Sequence, residues 1–68
     1  MVRLANDIGA QFRHLPPGDA AAEVANHIRR FWDPRMRAEL LALADEQQVD
    51  LDAGVLAAVD LLREGVAR

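Results

Sequence analysis

Asp33 followed by Pro34 is the feature that most restricts how this chain can fold. An aspartate at an N-cap accepts a bond from an otherwise unpaired backbone N–H. Proline at the next position has its φ preset for a helix and no N–H to lose. The pair therefore starts a helix at Pro34. Upstream, Val24, Ile28 and Phe31 recur at helical spacing, with Ala21 and Ala25 as small close-packing residues beside them. One helix thus stops near Trp32 and the next starts at Pro34 with almost no loop. The chain must turn a tight corner there, with Trp32 in it.

The same periodicity accounts for the remaining segments. Leu4, Ile8, Phe12 and Leu15 mark one face of a first helix. Pro16-Pro17-Gly18 ends it, because Pro16 disfavours helical geometry at Leu15 and Gly18 permits a turn. Asp19 then stands where an N-cap belongs, ahead of the helix formers Ala20-Ala21-Ala22-Glu23. Beyond the corner, Met36, Leu40 and Leu43 define a third face, flanked by Leu41 and Ala44, and the pattern thins through Asp45-Glu46-Gln47-Gln48. Asp52, or in its place Asp50, caps a fourth helix. That helix presents Val55, Val59 and Leu62, with Leu51, Leu56 and Val66 adjacent and Gly65 as its stop. Val and Ile fall at helical intervals, not in the alternation of a strand. The expectation is an all-α chain, a compact small bundle of three to four short helices forming a single domain over residues 1–68. The fourth helix is the one expected to pack on a partner.

Composition limits the chemistry. Of 68 residues 51% are apolar, but thirteen of those are alanine, which leaves one thin core. A chain this short buries only roughly 60% of the surface its unfolded form exposes, so it gains from further burial. There is no Cys, Ser, Thr, Tyr or Lys. Hydroxyl, thiol and amine nucleophiles, disulfides, thiolate metal sites and phosphorylatable hydroxyls are therefore absent. An independent enzyme is not expected. His14 and His27 lie in different segments without paired ligand spacing, so no metal site is expected. No apolar run approaches the roughly 20 residues that cross a bilayer. Met1–Asp7 lacks the apolar stretch of a signal peptide, and a cytoplasmic location is the expectation.

A net charge of −3 argues against nucleic acid as a partner. The charge is nevertheless unevenly placed. Arg29, Arg30, Arg35 and Arg37 surround only Asp33, whereas the stretch from Asp45 to Glu64 holds six acids against Arg63. Every basic side chain is arginine, whose guanidinium fork favours fixed bidentate contacts. Arg29 and Arg30 in a last helical turn complement the helix dipole, typically by about 0.3–1 kcal/mol each. Arg35 and Arg37 sit in a first turn and oppose it. Glu39 is placed to pair with Arg35, in the weaker order for such a pair, and Glu23 with His27. Arg35 and Arg37 are thus the residues hardest to explain as structure alone. They suit a partner-facing surface, and a helix start flanked by arginine also suits a phosphate or carboxylate.

Two stretches resemble a known family. Leu4-Ala5-Asn6-Asp7-Ile8-Gly9-Ala10-Gln11-Phe12 is similar to the pattern M-A-N-Q-I-G-x-F-F. Ala25-Asn26-His27-Ile28-Arg29-Arg30-Phe31-Trp32-Asp33-Pro34-Arg35-Met36-Arg37 is similar to the core H-I/L-R/K-x-F-W-x-P-R-M-R. Both patterns are those of the delta subunit of cytoplasmic, NAD-dependent, molybdenum-containing formate dehydrogenases. Leu4, Asp7 and Ala53 depart from it, where Met, Gln and Pro are common. The resemblance implies a non-catalytic accessory or assembly subunit that docks to the catalytic alpha subunit and, through it, meets the others. It would support the stability of that subunit or the insertion of its cofactor. The resemblance implies no cofactor on this chain; bis-molybdopterin guanine dinucleotide, iron–sulfur clusters, FMN and NAD belong to the partner complex. The motif positions then give the expected partner contacts His27, Arg29, Arg30, Phe31, Trp32, Asp33, Pro34, Arg35 and Arg37, with Asn6, Ile8, Gly9 and Phe12 in support. The alternative is an anion-binding maturation factor whose arginines hold the phosphates of a pterin dinucleotide or a nucleic acid. A third reading is a homodimer in which an unpartnered apolar face pairs with itself.

Overall fold

In a computed structural model that describes residues 1–46 and 50–67, with only the backbone described from 65 onward, the chain forms four helices. They are α1 (Val2–Gln11), α2 (Pro17–Phe31), α3 (Pro34–Ala44) and α4 (Ala53–Ala67). The all-α expectation holds.

Both α2 and α3 start with proline at their first position, Pro17 and Pro34. At α3 the expected cap forms: Asp33 Oδ1 accepts from Met36 N at 2.8 Å. At α2 the expectation needs correcting. Pro16 is the capping residue, its carbonyl accepts from Ala20 N at 2.8 Å, and Asp19 lies inside the first turn as a dipole-favoured acid. Gly18 is helical and makes no turn, because Pro17 opens the helix one residue before it. The end of α1 also comes early. Phe12 caps it, and Leu15 lies in the connecting turns.

The buried faces are rotated from those the large apolar letters suggest. On α1 the core side is Ala5, Ile8 and Gly9, while Leu4 is 46% exposed. Small residues decide this face because they let a neighbouring helix come close. A Cβ on Gly9 would stand 2.8 Å from Asp52 Oδ2 and 3.1 Å from Val55 Cγ2. On α2 the buried line is Ala21, Val24, Ala25 and Ile28. It continues to Trp32, 6% exposed, and not to Phe31, which is 68% exposed. Trp32 follows Ile28 by a full turn and already has extended backbone, so the larger ring swings beneath the corner while Phe31 turns outward.

On α3 only Leu40 is fully buried; Met36, Leu41 and Ala44 pack on the core's edge, and Leu43 is half-buried. The fourth helix, expected to pack on a partner, is also the hub of this bundle. It packs against all three others, α2 most of all, through Val55, Ala58, Val59 and Leu62, with Leu51 buried just ahead of it. Leu56 faces outward, 43% exposed. Gly65 does not stop α4, which runs to Ala67. The side chain of Val66 and residues 47–49, with Gln47 and Gln48, lie outside the described residues.

The resulting core joins all four helices around Ile28, Leu40, Val24, Val55 and Val59, in a body of 28 × 28 × 19 Å. Arginine side chains bind the helix ends across it. Arg29 Nη2 donates to the Leu61 carbonyl at 3.1 Å, fixing the end of α2 on α4. Arg63 donates to the Leu41 carbonyl at 3.1 Å and pairs with Asp45, tying α4 to the end of α3.

Candidate functional site

The two motif stretches have different fates in three dimensions. The first is an internal clamp. Asn6 Nδ2 donates to the Asp50 carbonyl at 2.8 Å, and its Oδ1 accepts from Asp52 N at 2.7 Å. Ile8 is a core residue, Gly9 gives α4 room to approach, and Phe12 is half-buried against the core. Asp52 completes the clamp. One carboxylate oxygen takes Arg13 Nη2 at 2.8 Å and Nε at 3.1 Å, and the other caps α4 through Gly54 N at 3.0 Å. The side chains of Asn6, Arg13 and Asp52 hold the entry of α4 against α1. Arg13 and its pairing with Asp52 have no local signature, since 39 positions separate them. A groove of about 430 Å³ beside the clamp is lined by Gly9, Ala20, Ala53 and Ala57 together with Arg13 and Asp52, which pair with each other.

The second stretch is a surface. Where α2 ends, His27 and Phe31 lie ring to ring, centroids 4.8 Å apart and planes tilted by 41°. The Arg30 guanidinium carbon is 5.8 Å from the Phe31 centroid, within the reach of a cation–π contact. The expected Glu23–His27 pair does not form; His27 is half-buried and spends its ring on Phe31. Past the corner, Arg35 is exposed and Arg37 half-exposed. The Arg35–Glu39 pair does not form either. Among the described residues Arg30, Arg35 and Arg37 have no carboxylate partner, in contrast to Arg13 and Arg63.

The nine corner positions therefore divide. Trp32 commits its ring to the core, Arg29 holds α4, and Asp33 and Pro34 build the start of α3. All nine but Trp32 are at least partly open to solvent, and His27, Phe31, Arg30, Arg35 and Arg37 are the ones whose side chains neither start or cap a helix nor hydrogen-bond another one. An exposed aromatic beside uncompensated guanidinium groups is an adhesive surface, apolar and cationic at once. The helical spacing put Phe31 on the inner face with Val24 and Ile28, yet Trp32 is the aromatic that turns inward, since a helical face alone does not say which of two adjacent aromatics does so.

Among the described residues no three His, Cys, Asp or Glu side chains converge as metal ligands, and no helix is long and apolar enough to cross a membrane. No curated protein and no solved structure matches the chain. A family model does match: that of the NADH-dependent formate dehydrogenase delta subunit FdsD, over residues 1–59. The match takes in both the α1 clamp and the whole corner, leaving only the second half of α4 outside it. The chain belongs to the family of NADH-dependent formate dehydrogenase delta subunits.

Proposed function

We propose that this chain is a non-catalytic accessory subunit of a cytoplasmic formate dehydrogenase, docking to the catalytic alpha subunit through the α2–α3 corner. Docking supports the stability of that subunit or the insertion of its cofactor. The observation that carries the reading is the set of arginines at the corner, Arg30, Arg35 and Arg37, with no carboxylate partner among the described residues. Two of them stand at a helix start, where the dipole opposes them, so a structural role leaves them unexplained. The bis-molybdopterin guanine dinucleotide, iron–sulfur clusters, FMN and NAD are carried by the partner subunits, and this chain binds none of them.

The test is co-purification of the enzyme from cells producing an Arg35→Ala/Arg37→Ala variant. The expected result is loss of this subunit from the complex, or a fall in assembled enzyme, with the helical content of the isolated variant unchanged. Wild-type yield and stoichiometry would overturn the reading. Measuring pterin dinucleotide per alpha subunit in cells lacking this chain separates its two contributions: a deficit at normal alpha-subunit levels means insertion, a loss of the subunit itself means stability.

The competing role, an anion-binding maturation factor, uses the same arginines around the start of α3. Asp33 weakens it, because the carboxylate already holds Met36 N and would repel a phosphate approaching that helix end.

A further inference from the structure

We propose that Phe31 is the plug of this docking surface and that the partner protein receives it in an apolar pocket rimmed with carboxylates. The inference rests on the docking reading above and adds what the partner must present. Phe31 is 68% exposed, further into solvent than Leu56, Leu4 or Met1. It is nevertheless held in place. His27 braces one side of its ring and Arg30 lies near it. The backbone just beyond it is fixed by Trp32 N donating to the Ile28 carbonyl at 2.9 Å. Two residues upstream, Arg29 anchors the helix end to α4. An aromatic already ordered in the free protein loses little conformational freedom on burial, which makes it an efficient anchor.

The charge around it selects the pocket. Arg30, Arg35 and Arg37 lack carboxylates among the described residues, and Asp33, the acid between them, is engaged with Met36 N. Burying Phe31 brings these cations to the edge of the contact, where an acidic rim attracts them and a basic or neutral one leaves them unpaired. A free phosphate would engage the arginines but gives an exposed benzyl group nothing to bury against. A protein pocket satisfies both features together.

The test uses the tagged complex and the full-length chain. Release of this subunit is measured for wild type and for Phe31→Ala, Phe31→Leu, Arg30→Glu and Arg35→Ala/Arg37→Ala, at about 0.05 M and about 0.5 M salt. Phe31→Ala is expected to weaken association at least roughly tenfold, with Phe31→Leu retaining most of it. Arg30→Glu is expected to weaken it strongly at low salt and much less at high salt. If the double arginine variant dissociates while Phe31→Ala binds as wild type, docking at the corner stands and the plug is wrong. If every variant binds as wild type, both fall. Two further outcomes would overturn the plug. One is a dimer of the isolated chain that Phe31→Ala dissolves while the complex stays intact. The other is arginine-dependent binding of guanosine diphosphate or pyrophosphate by the isolated chain, with subunit association unaffected.

Discussion

Asn6 and Asp52 are locked together across 46 positions, the backbone N–H of Asp52 donating to the Asn6 side-chain oxygen at 2.7 Å. The other end of the same amide donates to the Asp50 carbonyl, so one side chain satisfies two backbone groups at the entry of α4. Removing it leaves a partly buried N–H unpaired. Asn6→Ala is expected to cost about 1–3 kcal/mol. In a domain of this size each 1 kcal/mol lowers Tm by about 4–8 °C, which thermal unfolding followed by circular dichroism will register. Arg13→Ala, which removes a pair whose arginine is 66% exposed, is expected to cost less than about 1 kcal/mol. A larger loss for Arg13→Ala than for Asn6→Ala would mean that the ion pair, and not the amide, holds the clamp.

The same substitution should act with opposite sign at two glycines. Alanine is the better helix former by about 1 kcal/mol in a helix interior. At Gly18 a new Cβ meets nothing within 4 Å, so Gly18→Ala is expected to stabilise by a few tenths up to about 1 kcal/mol. At Gly9 it would meet Asp52 Oδ2 and Val55 Cγ2, and Asp52 cannot retreat without giving up Arg13 and Gly54 N. Overpacking of this kind typically costs about 1–3 kcal/mol. Gly9→Ala should therefore destabilise, read as a lower urea midpoint. A raised midpoint at Gly9 would show that α1 and α4 separate freely.

Local chemistry explains why some of this was legible in the sequence. The Asp33-Pro34 start of α3, the line Val24–Ile28 and the Val55–Val59–Leu62 face are each set by residues within a turn or two of one another. The corner arginines stood out because Arg35 and Arg37 oppose a dipole whose position Pro34 fixes. What the sequence hid depends on neighbours far along the chain. Leu4 looks like a core residue, but α4 arrives against Gly9, on the small side of α1, and Leu4 is left exposed. The central place of α4 likewise follows from how three other helices converge on it. Pro17 was readable by the rule applied at Pro34, but Asp19 competed as a cap because aspartate serves equally at a cap and in a first turn.

Phe31 and Trp32 are adjacent aromatics on opposite sides of the surface, and stability measurements should separate them. Trp32→Ala removes a ring from a core that joins all four helices, and large aromatic truncations of this kind cost about 3–5 kcal/mol. In so small a domain that should abolish cooperative unfolding. Phe31→Ala is expected to stay within about 0.5 kcal/mol of wild type, as surface changes generally do, although it also forgoes the contact with His27. Guanidinium denaturation of the isolated chain checks both. A large loss at Phe31 would make it a structural residue and would remove the reason for its exposure to be functional.

Asp33 gives the corner its geometry, and its two roles there can be distinguished. As a cap it needs an oxygen facing Met36 N, which asparagine also supplies. As a charge it offsets part of the surrounding arginine field. Asp33→Ala is expected to cost about 0.5–2 kcal/mol of stability, whereas Asp33→Asn should cost little. For association the order changes. Asp33→Asn keeps the corner folded and makes the surface more cationic, so binding to an acidic-rimmed partner should strengthen at low salt and converge with wild type as salt rises. Subunit release measured across a salt series reads this directly. Weaker binding of a fully folded Asp33→Asn variant would mean that the carboxylate itself faces a basic group on the partner, and that the rim is not uniformly acidic.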